Sequence, residues 1–229
     1  MLTFEALTLR QGDFTLSADW SLPTGARLAL IGPSGAGKST LLSAIAGFLD
    51  PAAGRVLWQG DDLTGMDPGH RPVAMLFQDG NLFPHLTVAR NVGLGLHAGR
   101  LSEGDRDRVA GALDRVGLSG LADRKPGSLS GGQQSRAALA RVLVMQRPLL
   151  LLDEPFAALG PAMRAEMLDL VAEMTDEAGT TLIMVSHDPG DARRIAGLTS
   201  VVAEGRVTAP ADTGALFADP PEALRDYLG

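Results

Sequence analysis

The chain contains no cysteine among its 229 residues. That excludes disulfide staples and cysteine-based metal sites, and it suits a reducing compartment. Aromatic residues make up only 4%, against a hydrophobic fraction of 45%. That balance reads as an α/β enzyme built on Leu, Val and Ala. Excess positive charge is also missing, since the formal charge is −7. This argues against a nucleic-acid partner and against attachment through a broad basic surface. Long apolar runs are absent too. The most apolar stretch, 148–152, has the length of a strand and ends at Asp153, far short of a membrane span. The first residues, Met1-Leu2-Thr3-Phe4-Glu5, lack the basic and then apolar regions of a secretory signal. The expectation is a cytoplasmic protein, free to dock on a membrane protein. No internal repeat or low-complexity tract is present.

What is present begins with Gly32-Pro33-Ser34-Gly35-Ala36-Gly37-Lys38-Ser39. The run fills G-x-x-x-x-G-K-[ST], the phosphate-binding P-loop. Its glycines let successive N–H groups turn toward one anion. Lys38 brings an ammonium to the β- and γ-phosphates, and Ser39 offers a hydroxyl to Mg²⁺. The apolar run 27–31 before it suits a buried strand. Ser39 and Thr40 open a helix through Ala46, whose N-terminus favours negative charge. Two competing motifs fail. Ala36 stands where G-x-S-x-G needs its last glycine. Gly93-Leu94-Gly95-Leu96-His97-Ala98 fits G-x-G-x-x-A but lacks its preceding strand and later acidic residue, so it reads as loop and helix packing.

The pattern along the chain predicts strands at 2–9, 14–20, 27–31, 56–58 and 73–77, the last ending at Gln78. A turn-rich loop covers 79–86. Thr87 caps a helix carrying Val88 and Val92, and Ser102 with Asp105 forms a capping box for another. Residues from about 87 to 147 thus read as an inserted helical subdomain. Strand 149–153, helix 161–178, strand 180–185, helix 188–196 and strand 198–204 then alternate. That alternation predicts a parallel sheet with helices on both faces. The end carries Pro220-Pro221 and a last amphipathic turn.

Two further motifs carry chemistry. Residues 149–154, Leu-Leu-Leu-Leu-Asp-Glu, form an apolar strand that delivers Asp153 and Glu154 to its C-terminal edge, where α/β sheets bind ligands. Asp153 can hold Mg²⁺ and Glu154 can polarise an attacking water. Leu129-Ser130-Gly131-Gly132-Gln133 precedes a helix and is either a second anion site or an ordinary capped helix start. Ser186-His187-Asp188 is no hydrolase relay, because adjacent residues do not stack their side chains in series. His70, His85 and His97 are isolated surface or loop residues.

The order P-loop, Gln78, 129–133, 149–155 and Ser186-His187 resembles the ATP-binding cassette (ABC) ATPases, over essentially the whole chain. The resemblance implies one domain over 1–229. A P-loop NTPase (RecA-like) core with an N-terminal antiparallel β subdomain takes 1–86 and 148–229, and the helical subdomain about 87–147. It implies ATP and Mg²⁺ as cofactors. Residues 32–40 and Ser130, Gly131, Gly132 and Gln133 would bind nucleotide, the latter group on the partner's ATP in a two-fold homodimer. Ser39, Gln78 and Asp153 would hold the metal. Glu154, His187 and Gln78 would be catalytic, with His187 on the γ-phosphate. Residues 79–87 would face integral membrane permease subunits.

Segments 46–51, 71–78 and 81–88 resemble the importer branch, most closely the ATP-binding subunits of bacterial thiamine importers. Iron(III), molybdate and polyamine importers share much of the pattern. A periplasmic solute-binding protein would act indirectly, and the chain would sit peripherally on the cytoplasmic face of the inner membrane. Non-transport ABC proteins carry coiled-coil insertions or paired cassettes, and neither is seen. The chain departs from the family twice. Ala157-Ala158-Leu159-Gly160 stands where the family has Ser-Ala-Leu-Asp, so coupling between the two sites should weaken. Where the family has an adenine-stacking aromatic this chain offers Leu9, Arg10 and Gln11, with Phe14 and Trp20 nearby as core or stacking residues, and an Arg10 guanidinium as the alternative stack.

Overall fold

Alternating burial makes strands of the first two segments in a computed structural model that describes residues 1–78, 80–157, 159–222 and 224–225. Asp79, Ala158 and the last turn of the sequence reading, 226–229, lie outside the described residues. Strand β1 (Leu2–Gln11) buries Leu2, Phe4, Leu7 and Leu9, and β2 (Phe14–Leu22) buries Leu16, Ala18, Trp20 and Leu22. They pair antiparallel, Leu9 opposite Leu16, so both apolar sets face one side. β3 (Arg27–Ile31) leads to α1 (Lys38–Ala46). β4 (Ala53–Trp58) returns to β1, β5 (Asp61–Asp62) pairs with β4 at the sheet edge, and β6 (Val73–Leu76) follows.

Three helices come next: α2 (Val88–Gly93), α3 (Glu103–Arg115) and α4 (Gly131–Val144). Thr87 caps α2 by accepting from the Arg90 N–H. Ser102 and Asp105 cap α3 reciprocally, as the sequence predicts. The remainder is β7 (Leu149–Asp153), α5 (Pro161–Ala178), β8 (Thr181–Val185), α6 (Pro189–Ile195), β9 (Leu198–Ala203), β10 (Arg206–Val207), β11 (Ala211–Asp212) and α7 (Thr213–Ala218).

The strands join in the order β5-β4-β1-β2-β10-β9-β3-β8-β7-β6, with β11 on β9. From β9 to β6 every pairing is parallel. β10 joins this core to the antiparallel strands, running parallel to β2 and antiparallel to β9. Two apolar interiors lie on opposite faces of the parallel strands. Leu149 and Leu151 of β7 face α1 and the antiparallel strands. Leu150 and Leu152 face an interior built with α2 to α7. Burial on both faces is why β7 is a continuous apolar run rather than an alternating one. Helices do cover both faces, yet on the first face α1 shares the interior with the antiparallel strands.

Arg71 ties α1 to this frame. It is 1% exposed and donates to the carbonyls of Met66, Ala44 and Ile45. A cation at a helix C-terminus meets both the unpaired carbonyls and the negative end of the dipole. A Cβ at Gly47 would lie 2.6 Å from the Arg71 Nε. The arginine and the glycine that ends α1 therefore fit as one unit.

Candidate nucleotide site

The P-loop hangs from β3, between β8 and β9. Two of its glycines are closely approached. Gly32 has φ +147°, and a Cβ there would lie 2.1 Å from the Val202 carbonyl oxygen of β9. Gly37 has φ +101°, and a Cβ would lie 2.6 Å from the Phe14 ring. At Gly32 the backbone contact excludes any side chain, and at Gly37 the positive φ disfavours one. Gly37 is the N-cap of α1 and offers no side-chain cap, so the first amides of α1 are available to an anion. Pro33, Ser34, Gly35 and Ser39 are exposed, and Ala36 and Thr40 are half-buried. Thr40 Oγ1 lies 3.3 Å from Gln11 Oε1. Lys38 is buried and donates to the Gly32 and Pro33 carbonyls at 2.7 and 2.8 Å. Burial pushes its pKa below the ordinary lysine value, opposed by the charges of Glu154 and Asp153.

The carboxylates arrive from β7. Asp153 Oδ1 accepts from Ser39 Oγ at 3.0 Å, joining the end of β7 to the start of α1. Burial raises the Asp153 carboxyl above the usual carboxylate range. The Ser39 hydroxyl and Lys38 oppose this, and Glu154 adds to it. Glu154 sits in the left-handed region at φ +45°, an uncommon place for a side chain. Its N–H still bonds the Val185 carbonyl at 3.2 Å. Its Oε2 lies 3.5 Å from His187 Nδ1, just beyond β8.

The residues around His187 form a second set. Ser186 Oγ donates to the buried Asp191 at 2.6 Å and accepts from the Asp188 N–H at 3.0 Å. Arg164 of α5 donates to Asp191 through Nε and Nη2 and pairs with Asp188 at 3.3 Å.

Ser130 begins α4. Its hydroxyl accepts from the Gln133 N–H at 3.3 Å, while Gln133 Oε1 accepts from the Ser130 N–H at 2.9 Å. The ordinary cap and the exposed glycine turn therefore coexist. Gly131 is exposed, and Gly132 faces Leu159. Gln78 is exposed beyond β6 and lines a cleft with Gly131, Gln134 and Pro155. Among the described residues no hydrogen bond links Gln78 to Ser39 or Asp153. Thus Lys38, Ser39, Asp153, Glu154 and His187 come together at one sheet edge, while Gln78 and residues 130–133 stand apart from them.

Residues 16–157 match the family described as ABC transporter. The chain belongs to the ABC transporter family. Among curated ABC relatives, the thiamine import ATP-binding protein ThiQ of Cereibacter sphaeroides is 65% identical, and the match covers 100% of both chains. A dimeric ATP-binding cassette solved in a post-hydrolysis state with ADP and Pi superposes with TM-score 0.83 at 29% identity. It covers 93% of this chain and 99% of its own. The cassette cbiO1 from Clostridium perfringens, part of the ABC transporter complex cbiONQ, gives 0.83 at 32%, covering 98% and 93%. These solved cassettes bear out the P-loop NTPase fold expected from the sequence.

Within this ABC fold, sequence reading passed over Arg71, Arg141 and Arg164. Arg141 of α4 donates to the Gly80 and Asn81 carbonyls, both at 2.7 Å, and so holds the loop after Gln78. Arg141 stands inside the apolar run 137–144, which is the signal a sequence offers for a cation held off solvent; Arg71 and Arg164 carry no such signal. Gly95, in the rejected dinucleotide pattern, packs against α4: a Cβ would lie 2.3 Å from the Arg141 carbonyl oxygen. Among the described residues, no group of His, Cys, Asp or Glu could hold a metal alone, and no helix is long and apolar enough to cross a membrane.

Proposed function

We propose that this ABC protein is the ATP-hydrolysing subunit that powers import of thiamine, or its phosphate esters, through a separate membrane permease. The full-length 65% identity to a thiamine import ATP-binding protein carries the solute. The gathering of Lys38, Ser39, Asp153, Glu154 and His187 at one sheet edge carries the chemistry. The P-loop amides and Lys38 hold the phosphates, and Lys38 exchanges its bonds to Gly32 and Pro33 for the β- and γ-phosphates. Ser39 and Asp153 present hard oxygen donors of the type Mg²⁺ takes, with Gln78 reaching in from its cleft. Bound Mg²⁺ supplies charge neutralisation to the phosphates.

Glu154 accepts a proton as water oxygen bonds to the γ-phosphorus, and the bond to the β–γ bridging oxygen breaks to leave ADP and phosphate. His187 donates to the γ-phosphate. Ser130 to Gln133 of a second copy close over that phosphate. The fold divides functionally into the core with its β subdomain and a helical subdomain at about 87–147. Residues 80–87, shaped by Asn91 and Arg141, face the permease on the cytoplasmic side of the inner membrane. A periplasmic solute-binding protein delivers the solute.

Glu154→Gln tests the chemistry. Phosphate release in the assembled transporter should fall at least ~100-fold, and ATP should trap a dimer seen by size-exclusion chromatography. Turnover near the unmodified rate refutes the role of Glu154. Uptake of labelled thiamine by cells deleted for the chain tests the solute. Intact thiamine uptake with lost iron(III), molybdate or polyamine uptake would reassign it.

A further inference from the structure

One buried cluster beside the site takes no direct part in the proposed hydrolysis. Asp191 is 7% exposed and Ser186 3%. Asp191 gathers donors from the Ser186 hydroxyl and from two nitrogens of Arg164. The third guanidinium nitrogen reaches Asp188, whose N–H donates to Ser186. A buried ion pair is a weak source of stability, because desolvation offsets its attraction. Its geometry here is specific instead. The residues immediately before and after His187 are both held by the same Arg164–Asp191 pair.

His187 needs such support. Its side chain is 53% exposed, so packing alone does not fix the ring. Together with its contact to Glu154, the backbone on either side sets where the imidazole points. Arg164 lies in the first turn of α5, and its own N–H bonds the Gly160 carbonyl at 2.9 Å. Glu154, Phe156, Arg164, Ser186, His187 and Asp191 line one small cleft. The bridge therefore connects the segment ending at Gly160 to the histidine opposite Glu154.

We infer that Arg164 and Asp191 are positioning residues, which hold Ser186-His187-Asp188 so that the imidazole faces the γ-phosphate. The inference rests on the role given to His187 above. Misplacing a catalytic group by about 1 Å costs on the order of 100-fold. Arg164→Lys keeps the charge and loses the fork. Asp191→Asn keeps the shape and loses the charge.

Steady-state ATP hydrolysis by the full-length protein in its transporter reads the effect. Both variants should lower kcat about 10- to 100-fold and leave KM for ATP within about twofold. In a His187→Ala background, Arg164→Lys should add less than about twofold, because the group it positions is gone. Equal multiplicative losses in both backgrounds overturn the inference, as does an unchanged kcat in both single variants. Full activity of His187→Ala itself overturns the role of His187 and, with it, this inference. Where Arg164→Lys fails to fold, Ser186→Ala replaces it, with the same split between kcat and KM expected and the same His187→Ala comparison decisive.

Discussion

Asp153 lies where its own charge is disfavoured. Burial raises its pKa, Glu154 adds to this, and Ser39 and Lys38 only partly compensate. The sign follows from linkage. A carboxyl whose folded pKa exceeds its unfolded value penalises the native state at neutral pH. The penalty is full above the folded pKa and gone below the unfolded one. Asp153→Asn should therefore raise Tm at pH 7 without nucleotide or Mg²⁺, with roughly 2–4 °C for each ~1 kcal/mol relieved. The gain should vanish in acid, and Mg²⁺-dependent hydrolysis should be lost. Thermal melts at pH 7 and pH 4 check this, and a lower Tm at pH 7 speaks against it.

At the same scale, the two aromatic residues weighed for the base, Phe14 and Trp20, have different surroundings. Trp20 is buried with its indole N–H donating to the Val207 carbonyl, and Phe14 rests on Gly37. Arg10 is exposed beside Gln11. Where the Arg10 guanidinium stacks on the base in place of a ring, preference for ATP over GTP should be within about tenfold, since cation–π contacts contribute only ~0.5–1 kcal/mol at exposed sites. A strong ATP preference that Phe14→Ala removes and Arg10→Ala spares contradicts the proposal for Arg10.

Among the elements, two helices start alike and serve different ends. Ser102 with Asp105 caps α3, and Ser130 with Gln133 caps α4. Replacing either serine with alanine should cost about 1 kcal/mol of stability. Only Ser130→Ala should also slow ATP hydrolysis. Denaturant midpoints together with phosphate release separate the cap from the site, and an equal loss of hydrolysis in Ser102→Ala would remove the distinction. Arg71 acts within the element as well. Arg71→Met takes the guanidinium away from the Ala44 and Ile45 carbonyls of α1, leaving Ala44 only the Gly47 N–H, and should lower stability by about 1–3 kcal/mol, read by denaturant unfolding. A midpoint unchanged from the parent chain would show that α1 does not depend on this cap.

The long strands and helices and the Ser102–Asp105 capping box were legible in the sequence, because periodicity and polar caps are local; at Ser130 the sequence leaves both an anion site and a capped start open. The two-residue strands β5, β10 and β11 were not. Their pairing is set by partners distant in sequence, and two residues carry no period. α7 was missed for a related reason, since its six residues span too few turns to reveal a stripe. In the site, Lys38, Ser39, Asp153 and Glu154 could be read from motifs of fixed spacing. The Arg164–Asp191–Ser186 bridge could not, because it joins α5 to the segment running from the end of β8 into α6, which only the fold brings together.

For the whole molecule, the site of one chain is half of the proposed assembly. Gly160 begins α5 with φ −66° and no side-chain cap, and a Cβ there meets nothing within 4 Å. Gly160→Asp therefore carries no steric cost, and it adds a helix-capping carboxylate at the proposed dimer face. The Hill coefficient for ATP in the assembled transporter should rise toward, and not beyond, about 2, the limit for two sites. Unchanged Hill behaviour would mean that this position does not govern coupling.

The four leucines of β7 set a rule of parity for change. The even-numbered positions 150 and 152 answer to the helices, and the odd-numbered 149 and 151 answer to α1 and the antiparallel strands. A chimera that grafts a relative's α2 to α7 onto this chain would meet foreign neighbours at every second residue of one strand. It would need its repairs there and nowhere else along that strand.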